Sequence, residues 1–451
     1  MDLASTEVTR MENIRASFMS WGWLLPALVP TAYTAGRSIG TVLYILYALW
    51  AILALRKSDF HIPKPMALLY LGLLVVFMLG TTEAIDIERA LHGWRKFAFH
   101  SMVFFITWTV LRARPWRSWE AQAFRWLGWA AVAAAGIFMA RMVPNIIEHG
   151  LAGAALVTNG LVAAYMLPFL MLFVSRHLTS KSRLWTGLIV ALPVLALVAN
   201  LSRTEMVVAG LVLASMLWIR SGWKVRITMS VLTAVVLAAG IHHISNHLDP
   251  VVTGEDGRPV SPFSRDLETM GERLGGIDIH WMATLDNITS HRSTFWFGAL
   301  AYPPNNPLIG VGVRNVRYHR KLFITVKAKH MHNFLMDAWY ETGLLGVAML
   351  MAWLGFLIGG ITRGVRRLGD TELAHFSIPL GASVVGVLAA SSLDKTYHTV
   401  SFSMFMFFCL ALLWSAAHQP KESSTPTKDE PETELERALS DVLQNTENHH
   451  P

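Results

Sequence analysis

Cysteine is almost absent from this 451-residue chain: Cys409 stands alone, inside an apolar run. An intrachain disulfide is therefore excluded, and cysteine usage carries no information about compartment. Charge is the second scarcity. Only 15% of residues are Asp, Glu, Lys or Arg, whereas a soluble domain carries about 25%. Hydrophobic residues make up 53% of the chain. Apolar runs of about 17–25 residues recur along most of its length, the length a helix needs to cross a bilayer. Together these exclude an ordinary soluble domain and predict an all-α polytopic membrane protein. The seventeen tryptophans fit anchoring at the membrane interfaces.

The formal charge of +7 is unevenly spread. Between Lys421 and Pro451 eight acidic residues face three basic ones, so the remainder carries +12. The positive residues sit in short connections between apolar runs. That distribution fits the positive-inside rule and anionic phosphate ligands better than nucleic acid, which is not expected as a partner.

Twelve spans are expected, near 18–35, 39–55, 64–82, 97–112, 122–142, 155–175, 184–201, 203–219, 226–244, 342–362, 376–393 and 399–417. The first lies where a signal peptide would, but it lacks a clear small-residue cleavage site and is read as retained. Five short connections hold three Lys or Arg each: Arg56, Lys57, Lys64; Arg112, Arg114, Arg117; Arg176, Lys181, Arg183; Arg220, Lys224, Arg226; and Arg363, Arg366, Arg367. The alternate set holds only Arg37, Arg89, Arg95, Lys96, Arg141, Arg203 and Lys395. The first set is assigned to the cytoplasm. Residues 1–17 then form a cytoplasmic N-terminus, 18–244 spans 1–9, 245–341 a large far-side loop, 342–417 spans 10–12, and 418–451 a disordered acidic cytoplasmic tail. The far side is the periplasm in a Gram-negative cell.

The wholly extramembrane part of the loop, 245–331, is too long to be a structureless connector. Short amphipathic helices are expected at Ile279–Leu285 and Ser293–Ala301, with Trp281, Phe295, Trp296 and Phe297 docking them on the bilayer.

Three constellations are candidates for chemistry. The first is His330-Met331-His332-Asn333-Phe334-Leu335-Met336-Asp337, where a polar segment re-enters an apolar one. Intramembrane polar residues are costly and commonly functional. Asn333 is suited to cap a helix there. Spacing of four puts Asn333, Asp337 and Glu341 on one stripe. The competing readings are interfacial histidines bonded to loop carbonyls, and a His-x-His metal site completed by His242 or His243. The metal reading is disfavoured because no carboxylate stands at ligand spacing. The second is Asn200-Leu201-Ser202-Arg203-Thr204, a turn so short that Arg203 needs an anionic partner or an interfacial position. The third is His291-Arg292 ahead of Pro307-Leu308-Ile309-Gly310-Val311-Gly312, whose glycines permit close backbone approach or a plain tight turn. The remaining far-side cations, Arg95, Lys96, Arg141, Arg265, Arg273 and Lys395, read mainly as solvated or headgroup-bound, with one or two lining a site. Asp394-Lys395 reads as a local pair.

In combination these features resemble the O-antigen ligase family, within the O-antigen ligase/polymerase superfamily of membrane glycosyltransferases. The resemblance spans roughly residues 20–417. It rests on the twelve-span layout, the Ser202-Arg203 turn, the large loop, Arg292 ahead of Pro-Leu-x-Gly-x-Gly, and His332-Asn333 nine residues before Gly343-Leu344-Leu345-Gly346. The ligase pattern often continues with two threonines, where this chain has Val347-Ala348.

The resemblance implies a GT-C-like fold in the bacterial inner membrane, with its active site facing the periplasm. It implies transfer of a glycan from undecaprenyl pyrophosphate to a sugar hydroxyl of lipid A–core oligosaccharide, with inversion. His332 is the expected general base. Arg203 and Arg292, with Arg265 as a weaker candidate, are expected to hold the pyrophosphate. His330, Asn333 and Asp337 are the expected supporting groups. No metal and no cofactor are expected, since the donor is already activated. The donor, the acceptor and membrane lipids are the expected partners. O-antigen polymerase and protein O-oligosaccharyltransferase share the chemistry and remain alternatives. A secondary transporter is more remote, because the polar cluster lies at one face rather than at the midplane.

Overall fold

The computed structural model describes residues 18, 20–55, 62–112, 116–149, 168, 211–212, 214, 264–288, 292–319, 330–368, 372–393 and 400–418. Expected spans 155–175, 184–201, 203–219 and 226–244, Arg203, Lys395 and residues 419–451 lie outside these, as does most of the N-terminus. By contacts the chain divides at His418/Gln419, and the description concerns the first unit.

Among the described residues every regular element is helical. The α-helices, in chain order, are α1 (Leu25–Ala35), α2 (Arg37–Leu55), α3 (Lys64–Leu79), α4 (Ile87–Arg112), α5 (Trp116–His149), α6 (Ser264–Arg273), α7 (Ile279–Ile288), α8 (Ser293–Ala301), α9 (Val316–His319), α10 (Phe334–Leu368), α11 (Glu372–Leu393) and α12 (Val400–Ala417). Three stretches are long and apolar enough to cross a membrane: Lys64–Glu83, Gln122–Glu148 and Phe334–Arg367. Ser38–Ala54, Ser377–Leu388 and Ser403–Ala417 are shorter apolar helices. All six coincide with expected spans. Helices α7 and α8 also fall where short helices are expected.

Local sequence explains several boundaries. Pro65 stands in the first turn of α3, where its missing N–H costs nothing. The chain leaves α3 through a 3-10 turn at Gly80–Glu83. Thr81 Oγ1 donates to the Met78 carbonyl at 2.7 Å and Thr82 Oγ1 to Leu79 at 2.7 Å, which satisfies carbonyls that the helix end would orphan.

The helices pack around one aromatic-rich core. Trp23, Trp50, Trp119, Trp353, Phe104 and Phe105 are among its fully buried side chains. Helix α12 packs most extensively against α4, and α10 against α3. Within this apolar bundle several polar groups pair. Thr31 Oγ1 donates to the Ala130 carbonyl at 2.9 Å, Tyr70 and Ser101 hydroxyls meet at 2.8 Å, and Ser403 Oγ meets His100 Nδ1 at 2.6 Å. Pairing is what makes such groups tolerable in an apolar interior. On the outside, α2 and α3 expose Ile39, Val42, Leu49, Leu68, Leu71 and Val75, the apolar exterior that a lipid solvent requires.

A second, smaller core lies in the segment between residues 267 and 340. Leu267, Met270, Met282, Phe295, Phe297, Val311, Met331 and Tyr340 bury one another. This revises one expectation: Phe295 and Phe297 are protein core, not bilayer anchors. Trp281 remains exposed, in edge contact with Phe297. An amphipathic pattern fixes which face is apolar but not what covers it.

Candidate functional site

The site is built on the first turn of α10. Asn333 caps it: Oδ1 accepts the N–H of Leu335 at 3.0 Å and of Met336 at 3.2 Å. The Asn333 carbonyl accepts the first helical bond, from Asp337 N at 2.8 Å. A short amide side chain satisfying orphan N–H groups is the ordinary capping chemistry, and the expected role of Asn333 is present.

Asp337 is fully buried and faces backward. Its Oδ1 accepts the N–H of Met331 at 2.8 Å. The Met331 carbonyl accepts Trp296 Nε1 at 2.9 Å, and the Met331 side chain is buried. Met331 is thus held from both sides and Asn333 is held by its cap. Between them His332 adopts φ 54°, in the left-handed region. Outside glycine that conformation costs of order 1–3 kcal/mol and persists only where neighbours impose it. Here the neighbours are identified. The half-buried His332 ring lies 4.2 Å from the His330 ring and 5.6 Å from Phe295, centroid to centroid.

Phe295 places His332 beside the start of α8. Arg292 is the N-cap residue of that helix, one turn before Phe295. Buried Asp286 fixes the helix start, accepting Thr294 N–H at 2.9 Å and Ser293 Oγ at 3.2 Å. His332, His330 and Arg292 are therefore brought to one region by the contact between the start of α8 and the start of α10. Arg265 lies in α6, with its side chain outside the described residues. Arg203 and His291 lie outside them entirely. Among the described residues no group of three or more metal-ligating side chains occurs.

The glycine motifs prove to be two halves of one joint. At Gly343 (φ 67°, ψ −173°) α10 breaks its helical path. In a regular helix Leu344 and Leu345 N–H would return to the carbonyls of Tyr340 and Glu341. Instead they donate to Pro307 at 2.9 Å and Leu308 at 3.1 Å. The released carbonyls accept Val311 N–H at 3.0 Å and Gly312 N–H at 2.8 Å. The Pro-Leu-Ile-Gly-Val-Gly loop is spliced into the helix, and each interrupted bond is replaced. The fit needs glycine: a Cβ on Gly343 would collide with Leu308, and one on Gly310 (φ 73°) with the 341–343 backbone. Span 10 was expected from residue 342. The helix starts eight residues earlier, at Phe334, and the joint divides it near that position.

Below the joint, buried Glu341 Oε1 accepts the N–H of Arg314 at 2.7 Å. Arg314 also has left-handed φ, 63°. Asn315 then ties the loop to the α3–α4 connection: its Oδ1 accepts Asp86 N–H at 2.9 Å, and its Nδ2 donates to the Asp86 carbonyl at 3.1 Å. Tyr318 donates its hydroxyl proton to Asp86 Oδ2 at 2.6 Å. That bond, ahead of the Arg89 N–H bond and the charges of Arg89 and Arg317, holds the Asp86 carboxyl below its usual value. Sequence reasoning missed Asp286, Trp296, Glu341 and Asn315 as organising residues. Trp296, Glu341 and Asn315 act on backbone groups far along the chain, and Asp286 on Ser293 and Thr294 in the next helix, which no local pattern announces.

Among curated proteins no sequence matches this chain. Residues 188–351, which contain α6 to α9, the glycine joint and the first turns of α10, match the family model described as O-antigen ligase, and that match supports assignment to the O-antigen ligase superfamily.

Proposed function

We propose that this protein is an O-antigen ligase of the bacterial inner membrane, acting at the periplasmic face with His332 as general base. The donor in this reading is a glycan on undecaprenyl pyrophosphate, and the acceptor is a sugar hydroxyl of lipid A–core oligosaccharide. The acceptor oxygen attacks the anomeric carbon while the bond from that carbon to the pyrophosphate oxygen breaks. The hydroxyl proton passes to the His332 ring, and undecaprenyl pyrophosphate leaves with the bonding electrons. One displacement inverts the anomeric centre. A positioned base is worth about 10²–10⁴-fold in such a step.

The observation that carries this reading is the conformation of His332: a non-glycine residue held at φ 54° between two anchored neighbours, at the start of α8 and α10. Strain maintained by that many bonds is the kind found where a side chain must be aimed. Arg292 is the described candidate for the departing diphosphate, and guanidinium meets phosphate oxygens bidentately without losing its charge. Arg203 and Arg265 are assigned to the same task from their place in the sequence. His330, Asn333 and Asp337 support His332. Cationic side chains take the part of a divalent ion, so the reaction is proposed to need no metal. The Val347-Ala348 pair, where the ligase pattern often has two threonines, favours keeping O-antigen polymerase and protein O-oligosaccharyltransferase in view.

The test is transfer in vitro by purified protein from an undecaprenyl-pyrophosphate-linked glycan. Lipid A–core, a second lipid-linked glycan and a pilin-like protein are offered as competing acceptors, with and without chelator. Glycosylated lipid A–core, undiminished by chelator, is the expected product. Product on either other acceptor reassigns the subclass, and no product on any of them contradicts the proposal.

A further inference from the structure

The far-side end of α4 gathers cations, of which only Arg89 pairs with a described acid, Asp86. Arg89, His92, Lys96 and neighbouring Arg95 stand on its first turns. Arg314 is pressed against the same helix: a Cβ on Gly93 would meet Val313 Cγ1 at 2.7 Å and the Arg314 stem at 3.0 Å. Gly93 lies one turn from both Arg89 and Lys96, so Arg314 enters between them. Its position is imposed, because its left-handed backbone is tied to buried Glu341.

Two nearby acids are already engaged, and Glu88, exposed on the first turn of α4, is not among the charges that act on His92 or Lys96. Asp86 accepts Tyr318 and pairs with Arg89 at 3.6 Å. Glu341 accepts the Arg314 backbone N–H. Lys96 is only partly exposed, yet among the described residues its ammonium has no hydrogen-bond or ion-pair partner. The charges acting on His92 are those of Arg314, Lys96, Arg95 and Arg89, all cationic. The sequence deepens the imbalance: between Asp286 and Asp337 there is no acidic residue, while Arg292, Arg314, Arg317, Arg320, Lys321, Lys327 and Lys329 all occur there. Gathering like charges in a partly desolvated place is unfavourable unless an anion joins them.

We propose that Lys96, His92 and Arg314 form an anion site that takes a phosphate group, distinct from the diphosphate position assigned to Arg203 and Arg292. Arg314 supplies the planar fork that phosphate oxygens match, and Lys96 a point charge from the adjoining helix. From Phe97 onward α4 enters the buried aromatic core, so the site sits at the boundary of an apolar segment. That position admits the phosphodiester of a lipid headgroup as well as a soluble phosphate. The inference stands on the cluster itself and does not require the transferase reading.

Lys96 offers the readout. Burial first, and Arg314 second, push its pKa down to about 8, so it reacts with an amine-acylating reagent at pH 8 where ordinary lysines are largely protonated. The full chain in dodecyl maltoside is acetylated, and the Lys96 rate is followed by peptide mass spectrometry, with exposed Lys64 as internal reference. The arms are sodium phosphate, sodium pyrophosphate, phosphatidylglycerol micelles, and sodium chloride at matched ionic strength. The expected result is saturable protection of Lys96 relative to Lys64 by at least one phosphate-bearing arm and not by chloride. Protection by soluble anions only assigns a soluble ligand; protection by phosphatidylglycerol assigns a headgroup. Replacing Arg314 by Gln should weaken the protection at least about tenfold in midpoint, and Arg314→Lys, which keeps the charge but loses the fork, should weaken it less. Equal Lys96 rates in all arms, equal protection by chloride, or undiminished protection in Arg314→Gln with normal elution as a folded protein would overturn the proposal.

Discussion

Asp337 accepts the backbone N–H of Met331 at 2.8 Å, and through that single bond the first turn of α10 fixes the residue that precedes His332. The carboxylate is fully buried. Its role in the proposed chemistry is therefore to position and not to touch substrate.

Replacing Asp337 by Ala leaves the Met331 N–H buried and unpaired, at a cost of about 1–3 kcal/mol. Asp337→Asn keeps an acceptor and should cost less. If the bond aims His332, both variants lower kcat while the donor KM stays near wild type, and Asn restores part of what Ala loses. Steady-state kinetics of the two variants check this. A fall in thermal stability with unchanged kcat would make Asp337 purely structural.

Gly343→Ala should be severe. The new methyl meets Leu308, and φ 67° disfavours any side chain. A loss of at least about 2 kcal/mol is expected, read as a lowered unfolding temperature in detergent. Gly355, on the same helix with nothing within 4 Å of its added Cβ, is the control. Gly355→Ala should be neutral or stabilise by up to about 1 kcal/mol.

His332→Gly separates strain from chemistry. Glycine adopts left-handed φ freely, so unfolding temperature should hold or rise, by the equivalent of up to about 1 kcal/mol. Transfer should still be lost, because no ring remains to take the proton. A clear drop in stability would show that His332 is held by favourable contacts and not by its neighbours' bonds.

Acid should destabilise the packing around His92 and His319. Burial lowers the His319 pKa; burial, then Arg314, Lys96, Arg95 and Arg89, lower that of His92. Both folded values lie below the ordinary 6.5. The unfolded chain therefore binds protons first as pH falls, and stability present above pH 6.5 declines below it. Unfolding temperature measured from pH 7.5 to 5 should fall, and His92→Gln or His319→Gln should flatten the slope.

Part of this was legible in the sequence. The Asn333 cap follows from side-chain type and from the apolar run after it. Helices at 279–285 and 293–301 are expected from apolar stretches between prolines; the first runs on to Ile288, and the second is buried on most sides instead of being amphipathic. Gly310 and Gly312 are visible as candidates for tight backbone, and Gly343 as part of a spaced motif. That they interlock is not, because the bonds joining them are backbone to backbone across some thirty residues and leave no side-chain signature. The same holds for Glu341 and Asn315, whose partners include distant N–H and carbonyl groups. Phe295 and Phe297 illustrate a different limit: their apolar character is plain, but only the fold decides between lipid and protein as what covers them.

The central claim is that His332 takes the acceptor proton. The measurement is the turnover of purified His332→Ala with an undecaprenyl-pyrophosphate-linked glycan and lipid A–core, beside wild type at matched unfolding temperature. A fall of at least about 10²-fold, in protein that still binds donor, is the predicted result. Turnover near the wild-type rate would contradict it.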